Sequence, residues 1–264
     1  MRYKEIFYSD NYKKIRNNEH FHSPILIGVG GSHAYGTNVA GSDLDIRGVA
    51  LNSSREILLG HGFEQIEDNE TDTVIYSFKK IVNLLSNCNP NCIEILGLNP
   101  EHYIYISDVG QELLNNKSMF LSKRAVKSFG GYANQQLHRL KNASATGSID
   151  DVGKRNANAI RHKKMAKHSM HLVRLYYTCF DILEKETIKT YRDEEHDLLM
   201  RIRNGEFLKD DYTITTEFTE LVDELDKRFQ YAKENTSLPE HPNTKAIEDF
   251  IISVHSRVIV GELC

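Results

Sequence analysis

The sequence predicts an α+β protein, with a mixed sheet and its helices in the N-terminal part and a helical region after it. Three observations predict this. Short apolar or alternating runs crowd the first third of the chain. Strand signals fade after about residue 110. Long stretches with apolar residues at helical spacing then follow, which is the pattern of strands first and helices later.

The elements read in order as follows. Residues 25–29, Ile-Leu-Ile-Gly-Val, form a buried strand, because the run is short, apolar and rich in β-branched residues. Gly30-Gly31-Ser32 breaks it, and a helix starts there. Residues 44–50 alternate apolar and polar and make a second strand; residues 73–78 make a third. The three are expected as neighbours, with helices packed on one face. Ile81, Val82, Leu84 and Leu85 give residues 79–86 a helical period, Asn89-Pro90-Asn91 punctuates it, and Cys92 opens a short element to Leu98. Residues 112–140 read mostly as helix, with Gly130-Gly131 as a kink. Residues 143–156 are small and polar and read as a mobile loop. Residues 157–183 form a long helix with Met165, Ser169, Leu172, Leu175, Tyr176 and Phe180 toward the core. Residues 216–233 and 244–260 are further amphipathic helices, separated by a segment holding Pro239 and Pro242.

Composition narrows the function classes. The chain has 264 residues, 40% hydrophobic and 27% charged, ordinary values for a globular protein with a sizeable core. No apolar run is long enough to span a bilayer, and the N-terminus lacks the apolar core of a signal peptide, so the expectation is a cytoplasmic protein with no membrane association. Cys88, Cys92, Cys179 and Cys264 do not form a disulfide framework or a paired zinc motif and are expected as plain thiols. The net charge of −4 argues against non-specific nucleic-acid binding by the whole surface. Between Leu113 and Phe180, however, the only acidic residues are Asp150 and Asp151, while lysine and arginine are frequent. A basic centre inside an acidic chain suits a segment facing phosphates, or else a solvated basic helix.

The chemistry is concentrated between Gly28 and Gly48. A strand running into Gly30-Gly31-Ser32 places backbone N–H groups and the Ser32 hydroxyl where a phosphate oxygen can sit, and Gly31 lets the backbone approach closely. Asp43 lies eleven residues beyond Ser32, and Asp45 two further on. At i and i+2 of a strand the two carboxylates share a face and repel unless a cation lies between them. Hard oxygen donors suit Mg²⁺ or Mn²⁺, and triphosphate oxygens complete the metal's shell.

Gly31-Ser32 followed by Ser42-Asp43-Leu44-Asp45 resembles the active-site signature of the DNA polymerase beta nucleotidyltransferase superfamily. The wider set is similar to the predicted nucleotidyltransferases associated with RNA-repair ligases in bacteria and phages. That set comprises residues 31–36 (Gly-Ser-His-Ala-Tyr-Gly), 42–49 (Ser-Asp-Leu-Asp-Ile-Arg-Gly-Val), 89–91 (Asn-Pro-Asn), 170–175 (Met-His-Leu-Val-Arg-Leu) and 237–239 (Ser-Leu-Pro). The resemblance implies a nucleotidyltransferase-type sheet domain over residues 1–110 and a helical domain over 111–264 that completes the nucleotide and acceptor cleft. It implies transfer of a nucleoside monophosphate from a nucleoside triphosphate to a hydroxyl, with release of pyrophosphate. It also implies a third carboxylate on a neighbouring strand, best matched by Asp72; Glu64, Glu67, Asp68 and Glu70 look more like a solvated loop. In this reading Asp43, Asp45 and Asp72 hold the metal and carry catalysis, and Gly31 and Ser32 hold phosphates. The acceptor is an RNA end or tRNA, a small molecule or a protein side chain, and the resemblance favours RNA.

Lys167, His171 and Arg174 recur at i, i+4 and i+7, so they share a helix face that can neutralise the triphosphate. Lys163, Lys164 and His168 are expected to point elsewhere. His171 is alternatively a satisfied, partly buried histidine. Arg47 either touches a phosphate or pairs with a carboxylate and orients it. Tyr35 stacks on a base or simply packs. Two other functions compete. A helical ribonuclease would use Arg155 with His162, or Arg161 with His168. A nucleotide-binding scaffold or antitoxin without activity would have little reason to keep Ser32 together with three mutually repelling carboxylates.

Overall fold

The computed structural model describes the backbone of residues 2–146, 157–210 and 213–263, and their side chains except at 2, 138–139, 141–146 and 157–162. Two short helices come first, α1 (Arg2–Phe7) and α2 (Lys13–Arg16). Strand β1 (Pro24–Val29) runs into helix α3 (Gly31–Tyr35). Then come β2 (Ile46–Ala50), α4 (Ser54–Leu59), the hairpin strands β3 (Gln65–Asp68) and β4 (Thr73–Ser77), and α5 (Phe78–Ser86). The short α6 (Pro90–Ile93) leads through tight turns to β5 (Tyr103–Ile106). The remainder is helical: α7 (Asp108–Asn115), α8 (Arg124–Thr146), α9 (Ala157–Lys185), α10 (His196–Arg203), α11 (Thr216–Asn235) and α12 (Thr244–Ile259).

Among the described residues the strands form one mixed sheet in the order β3-β4-β2-β1-β5. β1 is antiparallel to β2 and to β5, β2 is parallel to β4, and β3 is antiparallel to β4. The three strands expected as neighbours do lie side by side. Register matters most at one edge. Val29 pairs with Ile46, so the end of β1 meets the start of β2. Ile46 pairs with Thr73, so β2 and β4 begin together. The turn after β1 and the residues just before β2 and β4 therefore converge.

The expectation that helices pack on one face of the sheet is corrected: both faces are covered. Ile27, Val29, Ile46, Ala50 and Ile75 face one cluster with Phe7, Tyr12 and Ile15 of the N-terminal helices. Leu26 and Val49 face the other, a cluster that continues without a break through Leu172, Phe180 and Phe218 to Val258. A sheet apolar on both sides must be capped twice, and α1 and α2 supply the second cap. The residues of α9 expected in the core, from Met165 to Phe180, are all buried.

The helix read across residues 112–140 is also corrected. α7 ends at Asn115, whose successor Asn116 turns its side-chain amide back to the Glu112 carbonyl at 2.8 Å. Phe120 and Leu121 then drop into the core, and the Lys123 amide bonds the Pro239 carbonyl at 2.8 Å before α8 begins. Gly130 and Gly131 do not interrupt α8; a Cβ at Gly130 would lie 3.2 Å from the Phe229 ring, so that glycine serves close packing. Residues 143–146 of the expected loop continue α8, and the rest of that loop, 147–156, lies outside the described residues. No helix among the described residues is long and apolar enough to cross a membrane. Cys88, Cys92 and Cys179 are buried free thiols; Cys264 lies outside the described residues.

Candidate active site

The edge where β1 ends and β2 and β4 begin forms the floor of a cleft of about 710 Å³, roofed by α9 and flanked by α10. Gly31, Ser32, Asp43, Asp45, Arg47 and Asp72 line the floor; Lys163, Lys167, His168 and His171 line the α9 side, and Arg203 comes from α10.

Each floor residue has a local reason for its place. The Gly30 amide donates to the Asp45 carbonyl at 2.8 Å, which ties the turn after β1 to the residue before β2. Gly31 has φ +58°, and a Cβ there would sit 1.8 Å from Asp45 Oδ2. Only glycine meets both demands, the left-handed backbone and the contact with a carboxylate. Asp43 and Asp45 lie just before β2 rather than inside it; the second strand begins at Ile46, two residues later than its alternation suggested. Asp72 closes the β3–β4 turn with φ +46°, uncommon for a residue with a side chain and best tolerated by Asp and Asn. Its carbonyl accepts from the Ile46 amide at 3.1 Å, holding it beside Asp45.

Burial, above all, raises the Asp45 carboxyl out of its ordinary range; Arg47 opposes this, Asp72 and Asp43 add to it, and Lys167 opposes it. Asp43 and Asp72 thus both act electrostatically on Asp45. Among the described residues no three acidic, histidine or cysteine side chains are already drawn together at metal-ligand spacing. Arg47 stands among the carboxylates instead. Its Nη2 lies 3.4 Å from Asp45 Oδ1, and its Nη1 donates to the Asp72 carbonyl at 2.6 Å and to the Ile46 carbonyl at 2.9 Å. The pairing with a carboxylate expected of Arg47 is thus present, at Asp45. Asp68, set aside as loop, lies in β3 and is buried; Lys14, Thr71 and the Glu70 amide occupy its oxygens. Glu64 pairs with Lys80 at 2.7 Å.

The helical side is rearranged relative to expectation. Lys167 and His171 face the cleft, but Arg174 does not line it. Arg174 is 1% exposed, bonds Glu94 Oε1 at 2.5 Å, and stacks its guanidinium 3.7 Å from the centre of the Tyr35 ring. The Tyr35 hydroxyl donates to the other Glu94 oxygen at 2.5 Å, and its ring, packed against Arg174, also lines the cleft. The stripe through Lys163, Lys167, His171 and Arg174 is continuous, but α9 descends from the cleft into the core, and by Arg174 the same face is interior. Lys163 and His168, expected to point away, line the cleft. Arg174 Nη2 also lies 3.1 Å from His171 Nδ1. A guanidinium only donates, so Nδ1 accepts and the ring proton sits on Nε2. Cys92, on the floor, is no nucleophile: burial pushes its thiol up to about 11.

Sequence reasoning missed Glu94, Gln136 and Arg203. A lone acid in the apolar run 92–98 was a signal for Glu94, because a buried carboxylate needs a cation. Gln136 and Arg203 carried no comparable signal. The ribonuclease pairs gain nothing here. Arg155 and the side chains of Arg161 and His162 lie outside the described residues, and His168 Nδ1 is hydrogen-bonded to Gln136 at 2.9 Å.

The family described as RNA repair pathway DNA polymerase beta family matches residues 8–253. An uncharacterized 38.9 kDa protein from the nrdC-mobD intergenic region of Enterobacteria phage T4 is 29% identical over 122 residues, 41% of this chain and 36% of that protein's length. The chain thus matches little more than a third of that relative. A solved nucleotidyltransferase-like protein from Exiguobacterium sibiricum 255-15 aligns over 98% of this chain and 79% of its own, at 10% identity and a TM-score of 0.31. With a glycine-serine turn set against three carboxylates at one sheet edge, and a family match over nearly its whole length, the chain belongs to the RNA repair pathway DNA polymerase beta family.

Proposed function

We propose that this protein is a metal-dependent nucleotidyltransferase that moves a nucleoside monophosphate from a nucleoside triphosphate to a hydroxyl of an RNA end, a tRNA among the candidates, in the cytoplasm. One observation carries the reading: strand register sets the Gly31-Ser32 turn against Asp43, Asp45 and Asp72 at the mouth of a cleft whose opposite wall is basic. The donors fit a hard cation, since all three are carboxylates and burial with mutual repulsion already works against the charged form of Asp45. Mg²⁺ or Mn²⁺ held by Asp43, Asp45 and Asp72 would supply positive charge to the reacting phosphate oxygens.

The chain's own groups supply the rest. Gly31 lets the triphosphate approach the backbone, and the Ser32 hydroxyl donates to a phosphate oxygen. Arg47 holds the Asp45 carboxylate in place. Asp72 takes the proton of the acceptor hydroxyl as its oxygen bonds the α-phosphorus. The bond from that phosphorus to the bridging oxygen breaks, and pyrophosphate leaves toward Lys167 and the Nε2–H of His171. The RNA acceptor is supported by the family's description and by the basic residues of α9. Incubation with each labelled triphosphate, Mg²⁺ or Mn²⁺ and RNA acceptors is expected to label RNA and release pyrophosphate, and Asp43→Asn to abolish both. Undiminished transfer by Asp43→Asn would overturn the reading.

A further inference from the structure

We propose that Arg203 is the cation that grips the terminal phosphates of the triphosphate, a role that rests on the nucleotidyltransferase reading above. Arg203 closes α10 and reaches the cleft. Its Nη1 is cut off from solvent and has no hydrogen-bond partner, and its Nη2 makes one long contact, 3.4 Å to Ser42 Oγ. Among the described residues no carboxylate pairs with it. Two other arginines have carboxylate partners that Arg203 lacks: Arg201, on the same helix, pairs with Glu206 at 2.8 Å, and Arg192 pairs with Asp181 at 2.6 Å. A guanidinium cannot shed its proton to escape burial, and a buried charge without a counter-ion is costly. Arg203 therefore lines the cleft with fork donors to spare.

Position identifies the anion. Ser42 immediately precedes Asp43, and its carbonyl lies 3.4 Å from His33 Nε2, the residue after Ser32. Arg203 thus stands over the loop that joins the glycine-serine turn to the first carboxylate. Arg47 is instead bound to the carbonyl of Asp72, the residue proposed to take the acceptor's proton. An anion reaching both Ser32 and Arg203 extends away from the reacting centre, as the β- and γ-phosphates do. Arg203 also supplies the arginine contact that Arg174, buried against Glu94, does not. An RNA backbone phosphate is the other source of such an anion, and the test separates the two.

The experiment is calorimetric titration of inorganic tripolyphosphate with Mg²⁺ into the wild-type chain, Arg203→Ala and Arg203→Lys, with a parallel titration of a single-stranded oligoribonucleotide. Losing a charge-assisted phosphate contact weakens tripolyphosphate binding roughly ten- to a hundredfold in Arg203→Ala. Arg203→Lys falls between, because it keeps the charge and loses the fork; it carries the test if thermal melting shows that the alanine variant is unfolded. Oligonucleotide binding is expected to be unchanged. Equal tripolyphosphate affinity in all three proteins overturns the proposal, as does a loss confined to the oligonucleotide. The transfer assay keeps the two readings apart. If Asp43→Asn abolishes transfer while Arg203→Ala leaves the triphosphate KM unchanged, only the role of Arg203 fails. If wild type shows no Asp43-dependent transfer, the function fails whatever Arg203 binds.

Discussion

Replacing Arg174 by alanine removes the cation at the centre of a buried network, and the structure makes this a stability variant rather than a binding variant. Arg174 is 1% exposed and Glu94 is 7% exposed, so the truncated protein keeps a carboxylate in the interior with no counter-charge. Breaking a buried pair from one side costs about 3–5 kcal/mol. Loss of the stack on Tyr35 adds about 0.5–2 kcal/mol, although water entering the vacated space returns part of it. At roughly 2–4 °C per kcal/mol for a chain of this size, 3–5 kcal/mol lowers the melting temperature by roughly 6–20 °C. Alanine is a good helix former, so α9 itself is not broken. Urea denaturation and thermal melting measure the loss, and the triphosphate KM of the surviving folded fraction is expected to move little. The double variant Glu94→Gln/Arg174→Met removes both charges and should recover most of the stability. Wild-type stability with a raised KM in Arg174→Ala would refute this reasoning, since it would put the guanidinium in the cleft and not against Glu94.

Four further outcomes follow from the same geometry. Gly31→Ala places a methyl on the Asp45 carboxylate at a left-handed φ, so it should fold less stably and lose triphosphate binding together; normal titration by calorimetry would count against the close approach. Lys167→Ala should melt like wild type and raise the triphosphate KM, because this lysine is exposed on the cleft wall; an unchanged KM removes it from the phosphate site. In chelator-treated protein the raised Asp45 pKa means the folded state binds the proton more tightly, a benefit present at low pH and lost as pH rises through the folded value. Asp45→Asn should therefore melt above wild type at neutral pH, with the gap closing as pH falls, and a lower melting point at neutral pH would contradict it. Nitrogen NMR of His171 should report the Nε2–H tautomer in wild type and a mixture in Arg174→Ala; a wild-type Nδ1–H tautomer would rule out the Arg174 bond.

How much of the site the sequence reveals depends on how far apart in the chain its parts lie. Ser32, Asp43 and Asp45 all lie in the connection between β1 and β2, and the spacing alone brings them close once those strands pair antiparallel. Asp72 needs one more fact, that β2 and β4 run parallel and start in register, which no local pattern states. The short edge strands β3 and β5 are read only from their partners. Residues 103–106 carry apolar and aromatic side chains without a clear alternation, and two of them, Tyr105 and Ile106, are exposed.

The basic helix shows where sequence reasoning must stop. Helical spacing correctly groups Lys163, Lys167, His171 and Arg174 on one stripe, but a stripe has no depth. Depth comes from what α9 packs against, and here a single acid from another part of the chain decides it. Glu94 lies beside the cleft floor, between Tyr35 of α3 and Arg174 of α9. It draws the arginine inward and leaves the outer half of the stripe to the cleft. The consequence reaches the proposed chemistry. The arginine expected by spacing to reach the phosphates becomes a strut between the glycine-serine helix and the helical wall, and it fixes the tautomer of His171 on the cleft wall. Of the two described arginines that line the cleft, Arg47 pairs with Asp45 and Arg203, from a helix that periodicity did not reveal, has no carboxylate partner. Pairing decides between two arginines that composition cannot tell apart: the one with a carboxylate holds the fold, and the one without is available to a ligand.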